Sequence, residues 1–176
     1  RHFYIEDILA PLKSEYAILS SDKGLKLTVR SGGQVVHSDI TYLRRIIQNS
    51  VSNAVKYTDN GRVLVACRNR KHSLRIEVWD TGPGISDVEQ AKIFNDFYRV
   101  ESGDNKGVGL GLGVVKRMAD LLSLELDVHS EPGKGSRFSI DVPYGDALFV
   151  QQKSAASNLI ENRTAINIIA VDDDPE

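Results

Sequence analysis

Scarce residues set the first limits on this chain. Its 176 residues hold a single cysteine, Cys67, so neither an intrachain disulfide framework nor a cysteine-rich zinc site can form. Cytosolic exposure is therefore the default expectation. An excess of one charge is missing too: 22 basic against 24 acidic side chains leave a net −2. A general binder of nucleic acid or of an anionic membrane should show a basic surplus, so neither partner is expected. No apolar run approaches the roughly 18 residues that span a bilayer, and the N-terminus lacks a signal-peptide pattern. What is present, 41% hydrophobic and 26% charged residues, suits one domain of ordinary size with a real core, plus some extra. With its abrupt start at Arg1 and end at Glu176, the chain is expected to be a piece of something longer.

Hydrophobic periodicity divides the chain. Residues 5–19 have helical spacing (Ile5, Ile8, Leu9, Leu12, Tyr16, Leu19), and Asp22-Lys23-Gly24 then punctuates. Residues 25–30 alternate like a half-buried strand that ends at Ser31-Gly32-Gly33. Ser38-Asp39 can cap a long helix running to Lys56. Strand-like runs follow at 62–68 and 74–80, then a loop-rich centre at 81–107 with a short apolar-periodic piece at 88–97. A helix is predicted at 112–122, and two last strands at 124–129 and 136–142 flank the turn 131–135. Helices mixed with hairpin-connected strands predict an α+β layer, one sheet covered by helices. After Pro143 the composition turns polar; residues 1–145 read as the domain and 146–165 as a linker. An apolar burst at 166–171 then stops at Asp172-Asp173-Asp174-Pro175.

Three segments carry candidate chemistry. On the long helix, Leu43, Ile46, Ile47, Ser50, Val51 and Ala54 share one face, while Arg45, Asn49, Asn53 and Lys56 form an adjoining stripe. Two amides one turn apart with a lysine one turn on could hold Mg²⁺ and phosphate oxygens; taken alone, the stripe also fits the solvated edge of an amphipathic helix. Asp80-Thr81-Gly82-Pro83-Gly84-Ile85 follows a strand containing Ile76, Val78 and Trp79. A carboxylate there can accept from an exocyclic amine, and the glycines let backbone approach a ring; a type II turn with a capping aspartate is the plainer alternative. Gly107-Val108-Gly109-Leu110-Gly111-Leu112-Gly113 suits neither strand nor helix. It suits a loop whose amides turn toward an anion before entering a helix, or else a hinge. A Walker loop is absent, and the glycine spacing fails the Rossmann pattern.

Taken in order, these segments resemble the ATP-binding catalytic domain of sensor histidine kinases, in the GHKL superfamily. Asn49-Ser50-Val51-Ser52-Asn53-Ala54-Val55-Lys56-Tyr57-Thr58 resembles the N box and Asp80 to Ile85 the first glycine box. Ile93-Phe94-Asn95-Asp96-Phe97-Tyr98-Arg99-Val100 resembles the F box, and Gly107 to Leu112 the second glycine box. Ser130-Glu131-Pro132-Gly133-Lys134-Gly135-Ser136-Arg137-Phe138 resembles the closing strand pair. The resemblance implies a Bergerat-type two-layer α/β sandwich, with a mixed, mostly antiparallel sheet of about five strands under three helices. It implies ATP and Mg²⁺ as cofactors, with Asn53 on the metal, Asn49 nearby and Lys56 toward the phosphates. Tyr57 would lie near the nucleotide and Asp80 would bind the adenine amino group. Gly82, Gly84, Ile85, Ser136 and the loop Gly107, Val108, Gly109, Leu110, Gly111 and Leu112 would shape the pocket. The stretch 100–106 would be a short lid, with Arg99 and Lys106 as phosphate contacts.

Some positions depart from the family pattern. Asn95-Asp96 stands where Glu-Pro is common, and Gly113 where a small residue such as alanine is usual, which is expected to loosen that helical turn by about 1 kcal/mol. Asn49 stands where hydrolytic relatives carry a glutamate base. An amide cannot take a proton near neutral pH, so γ-phosphoryl transfer to a histidine, and not to water, is the chemistry implied. The acceptor itself is missing: His2, His37, His72 and His129 lack the family's acceptor neighbours and read as surface or structural residues. The implied partners are the acceptor-helix domain, which also dimerises, and a receiver domain or response regulator. Residues 166–176 resemble the opening of a receiver domain, with Asp172 and Asp173 as its acidic pair, unless they are an acidic solubilising tail. Family habit alone would anchor the parent in a bacterial inner membrane, with this domain in the cytoplasm and not touching the bilayer. Two other readings stay open: a degenerate docking module without transfer activity, and a serine-kinase anti-sigma relative.

Overall fold

The computed structural model describes residues 1–95 and 111–151, and their α+β order follows the hydrophobic periodicity. In chain order the elements are β1 (His2–Tyr4), α1 (Glu6–Asp22), β2 (Lys26–Arg30), β3 (Val35–His37), α2 (Ile40–Tyr57), β4 (Arg62–Asn69), β5 (Ser73–Asp80), α3 (Asp87–Gln90), α4 (Gly111–Leu121), β6 (Glu125–Glu131) and β7 (Gly135–Pro143). Local chemistry sets several ends. Asp39 Oδ1 accepts from the N–H groups of Thr41 and Tyr42, which satisfies donors that α2 cannot pair internally. A reciprocal capping box between Ser86 and Glu89 starts α3.

Five strands form the main sheet in the order β2-β4-β5-β7-β6. The β2–β4 pair is parallel and the rest are antiparallel, as the expected mixed, mostly antiparallel sheet requires. Side chains alternate between its faces. Val63, Val65, Leu74, Ile76, Val78, Ile140 and Val142 lie on the face that packs into one core with Leu43, Ile46, Ile47, Val51 and Ala54 of α2. From α1 come Ile8, Leu9 and Leu12, and from α4 Val115 and Ala119. The opposite face is polar and internally paired: Arg68 with Glu77, Arg75 with Asp141, and Arg137 with Asp127, while Arg137 also covers the Trp79 ring. Such a face remains soluble without a second layer.

Two polar contacts hold α1 beside α2 in the same direction. Gln48 Nε2 donates to Glu15 Oε1 at 2.8 Å. Lys23 Nζ, just past the end of α1, donates to the carbonyls of Val55 and Lys56, each at 2.9 Å. This lysine closes the C-terminus of α2, where orphan carbonyls and the negative dipole end favour a cation.

Periodicity did not anticipate the two-stranded sheet β1–β3, paired in antiparallel fashion from His2↔His37 to Tyr4↔Val35. Three residues are too few to show alternation, and the pairing is what defines them. Of the apolar-periodic piece expected at 88–97, the described residues contribute the single-turn α3, after which Ile93 is buried. Residues 146–150, read as the start of a linker, contact the body: the Asp146 N–H donates to His2 Nδ1, and Phe149 stacks on the same ring. Among the described residues no helix is long and apolar enough to cross a membrane. The rest of the expected linker and the receiver-like stretch, with Asp172 and Asp173, lie outside the described residues.

Candidate functional site

Asp80 ends β5 on the same side of the sheet as Leu74, Ile76 and Val78, so strand alternation carries it to the edge of the helix-covered face. Its Oδ1 accepts the Gly82 N–H at 2.8 Å and the Ser136 N–H at 3.3 Å. Among the described residues nothing donates to Oδ2. Burial raises the Asp80 pKa, and the two amide donors oppose that rise without cancelling it. The result is a half-buried acceptor with one oxygen tied to the fold and the other open.

Gly82 sits where no larger residue fits without a shift. A Cβ there would lie 2.9 Å from Asp80 Oδ1, 3.1 Å from the Tyr57 carbonyl and 3.2 Å from Thr58 Oγ1. The end of α2 and the loop after β5 thus converge on one spot. Thr58 is fully buried, and its hydroxyl has no partner among the described residues. A buried unpaired hydroxyl is costly unless a ligand or water completes it.

The turn between β6 and β7 presses against the same loop. Gly84 has φ +72°, and a Cβ on it would come within 2.0 Å of the Glu131 carbonyl oxygen. Gly135, at φ +110°, would meet the Asp80 carbonyl oxygen at 2.0 Å. Ile85 donates its N–H to Ser130 Oγ at 2.8 Å, and the Ser136 hydroxyl lies 2.9 Å from that same oxygen.

Asn49 and Asn53 occupy successive turns of α2, both half-buried. Gly111, the first described residue of α4, lies so close to Asn49 that a Cβ would be 2.7 Å from Asn49 Oδ1. A helix N-terminus carries unpaired N–H groups and the positive end of the dipole, the features that attract phosphate. Lys56 and Tyr57 are exposed, with Lys56 Nζ 3.3 Å from Tyr57 Oη and 4.9 Å from its ring centroid.

Of the residues singled out from the sequence, Tyr57, Asp80, Gly82, Gly84, Ile85 and Ser136 fall into one contact network, and Asn49 meets Gly111 across α2 and α4. Asn53 and Lys56 follow on the same helix, and Leu112 follows Gly111. Arg99, Lys106, Gly107, Val108, Gly109 and Leu110 lie outside the described residues. Sequence reasoning did not single out the orphan hydroxyl of Thr58, the Lys23 cap, or the contacts of Ser130 and Gln90. Thr58 closes the N-box run and was legible as a neighbour; the others carry no local signal.

The donor set fits an adenine nucleotide with a divalent cation. The Thr58 hydroxyl is buried without a partner among the described residues, and Asp80 is bonded there only through Oδ1, both beside Gly82, as a ring bearing an amino donor requires. Asn49 and Asn53 offer hard amide oxygens on successive turns of α2, and Asn49 lies against the first described residue of α4, a combination suited to a hydrated cation and its phosphates. No cluster of three or more histidine, cysteine or acidic side chains competes for a metal among the described residues.

Residues 38–146 match the family model described as histidine kinase-, DNA gyrase B-, and HSP90-like ATPase. The sensor histidine kinase RcsC of Escherichia coli strain K12 is 35% identical over 121 residues, 67% of this chain and 13% of that protein. The autoinducer 2 sensor kinase/phosphatase LuxQ of Vibrio vulnificus is 34% identical over 166 residues, 88% of this chain and 19% of that protein. The chain therefore spans less than a fifth of these curated relatives. Among solved structures, full-length ShkA in complex with AMPPNP superposes with a TM-score of 0.74 at 30% identity, over 82% of this chain and 31% of that one. The chain belongs to the histidine kinase-, gyrase B- and HSP90-like ATPases, and within them to the ATP-binding catalytic domains of sensor histidine kinases.

Proposed function

We propose that this domain binds Mg·ATP and transfers the γ-phosphoryl group to a histidine on an acceptor-helix domain, in a phosphorelay that continues to a receiver domain or response regulator. The observation that carries the reading is the half-buried Asp80, tied through Oδ1 and open at Oδ2, where an adenine amino group would donate. Beside it the buried Thr58 hydroxyl lacks a partner among the described residues, and Gly82 keeps a side chain out of the space between them.

Asn53 would supply an oxygen to Mg²⁺, with Asn49 nearby, and Lys56 would approach the phosphates together with the α4 N-terminus. Arg99, Lys106 and the loop at 107–112 join them as phosphate contacts by family resemblance. The cation, when bound, neutralises charge on the β- and γ-phosphates. Asn49 cannot act as a base toward water. Transfer to an imidazole nitrogen needs none at that position: the bond from phosphorus to the bridging oxygen breaks, a phosphorus–nitrogen bond forms, and ADP leaves. Catalysis then rests on positioning and charge neutralisation.

The test supplies this chain with γ-labelled Mg·ATP and a separately made acceptor-helix domain from a sensor kinase. Acid-labile, base-stable label on the acceptor, lost on Asn53→Ala, supports transfer. Tight ADP binding with no label on a panel of acceptor domains favours a docking module instead.

A further inference from the structure

We propose that Ser130 and Gln90 are positioning residues for adenine recognition, acting together as a clamp on the backbone of Ile85. Their role rests on the adenine reading of Asp80 given above. Ser130 is buried on β6, and its hydroxyl has one proton and two lone pairs. That hydroxyl donates to the Gly135 carbonyl at 3.0 Å, accepts the Ile85 N–H at 2.8 Å and shares a hydrogen bond with the Ser136 hydroxyl at 2.9 Å. Gln90 Nε2 donates to the Ile85 and Ser130 carbonyls, each at 2.9 Å, with a longer contact to Asp87 Oδ1 at 3.3 Å. Both main-chain groups of Ile85 are therefore held, one by each residue.

The same serine reaches the other end of the loop. Ser136, whose hydroxyl is hydrogen-bonded to that of Ser130, gives its N–H to Asp80 Oδ1. Asp80 is thus tied to Ser130 through Ser136, and Ile85 is tied to it directly. Between them lie Gly82 and Gly84, residues with wide backbone freedom, and one further anchor, the Pro83 carbonyl on the Gly133 N–H at 2.7 Å. A loop so rich in glycine keeps its adenine-facing edge in place only if its ends are fixed, and the Ser130–Gln90 pair fixes the far one. With its donor and acceptor capacity used inside the protein, Ser130 acts on the nucleotide only through the loop.

Calorimetry with Mg²⁺ and either ADP or IDP tests this, because IDP carries an oxygen where ADP carries the amino donor. Ser130→Ala and Gln90→Met are each expected to weaken ADP binding by about tenfold and IDP binding much less, so that the preference for ADP shrinks. Ser130→Thr, which keeps the hydroxyl, is expected to restore that preference, and Gln90→Met stands independently should Ser130→Ala fail to fold. An unchanged ADP-to-IDP ratio in folded variants, with only a lower melting temperature, assigns both residues a merely structural role and overturns the clamp. A folded parent chain that binds neither nucleotide overturns the adenine reading first, and the clamp with it.

Discussion

Asp80 and Ser136 are the last register pair of the β5–β7 ladder, and the Ser136 N–H donates to the Asp80 carboxylate at 3.3 Å. The carboxylate proposed to bind adenine is therefore aimed by the sheet itself, across a separation of 56 residues in sequence. The same register that buries Val78 against Phe138 delivers Asp80 to the pocket.

ADP affinity is expected to fall as pH is lowered through the raised Asp80 pKa. Asp80 must be ionised to accept from an amino group, and burial, the first cause, raises its pKa. Binding then weakens as pH drops through that raised value, at higher pH than an ordinary carboxylate would require. Stability runs the other way: a raised folded-state pKa favours the protonated form, a contribution present at low pH and lost as pH rises through it. Asp80→Asn should lose at least about tenfold in ADP affinity, show no such pH dependence, and melt no lower than the parent at neutral pH. Calorimetric titrations between acidic and neutral pH, with melting curves alongside, check all three.

Two glycines of similar backbone angle should respond differently to alanine. Gly133 has φ +78°, and a Cβ added there would meet nothing within 4 Å, so Gly133→Ala should cost about 1–2 kcal/mol of left-handed strain. Gly84 has φ +72° and the Glu131 carbonyl in the way, so Gly84→Ala adds a steric clash and should cost about 3 kcal/mol or more. Urea unfolding of the two variants separates conformational strain from collision, and equal losses would refute the packing of the loop on the β6–β7 turn.

The Arg75–Asp141 pair should govern part of the acid stability. Its side chains are 23% and 19% exposed, and the Arg75 hydrogen bond is the main reason the Asp141 pKa is lowered. A lowered folded-state pKa gives stability above the unfolded value, lost as pH falls through the folded one. Arg75→Ala should cost about 1–3 kcal/mol at neutral pH, and the difference should narrow below about pH 4. Denaturation midpoints at neutral and acidic pH measure it.

Cys67 should resist thiol reagents. Burial, with a smaller push from the Glu6 charge, moves its pKa up to about 12, so almost no thiolate exists at mildly alkaline pH. Reaction with an aromatic disulfide reagent should be slow in the native chain and become fast in urea. Rapid labelling of the folded chain would contradict the burial on β4.

Several features were legible because their signal is local. Leu43, Ile46, Ile47, Val51 and Ala54 repeat at helical spacing and form the buried face of α2; Asp39 caps that helix as its residue type suggests. Asp80 follows Leu74, Ile76 and Val78 at strand parity, which is enough to place it on the helix side. The pairing of His2 with His37, by contrast, joins two three-residue strands too short to alternate, and Gln90 and Ser130 show nothing in sequence to link them across 40 positions.

The sequence by itself determined the long helices, the five strands of the main sheet and the residues of the core, because periodicity, capping and glycine placement act over a few residues. Tertiary structure alone decided which oxygen of Asp80 stays open, that Thr58 is left without a partner among the described residues, and that one serine ties both ends of the loop. These depend on which groups from β5, β6, β7 and α2 come within hydrogen-bond range, and that range is set by sheet register and helix packing.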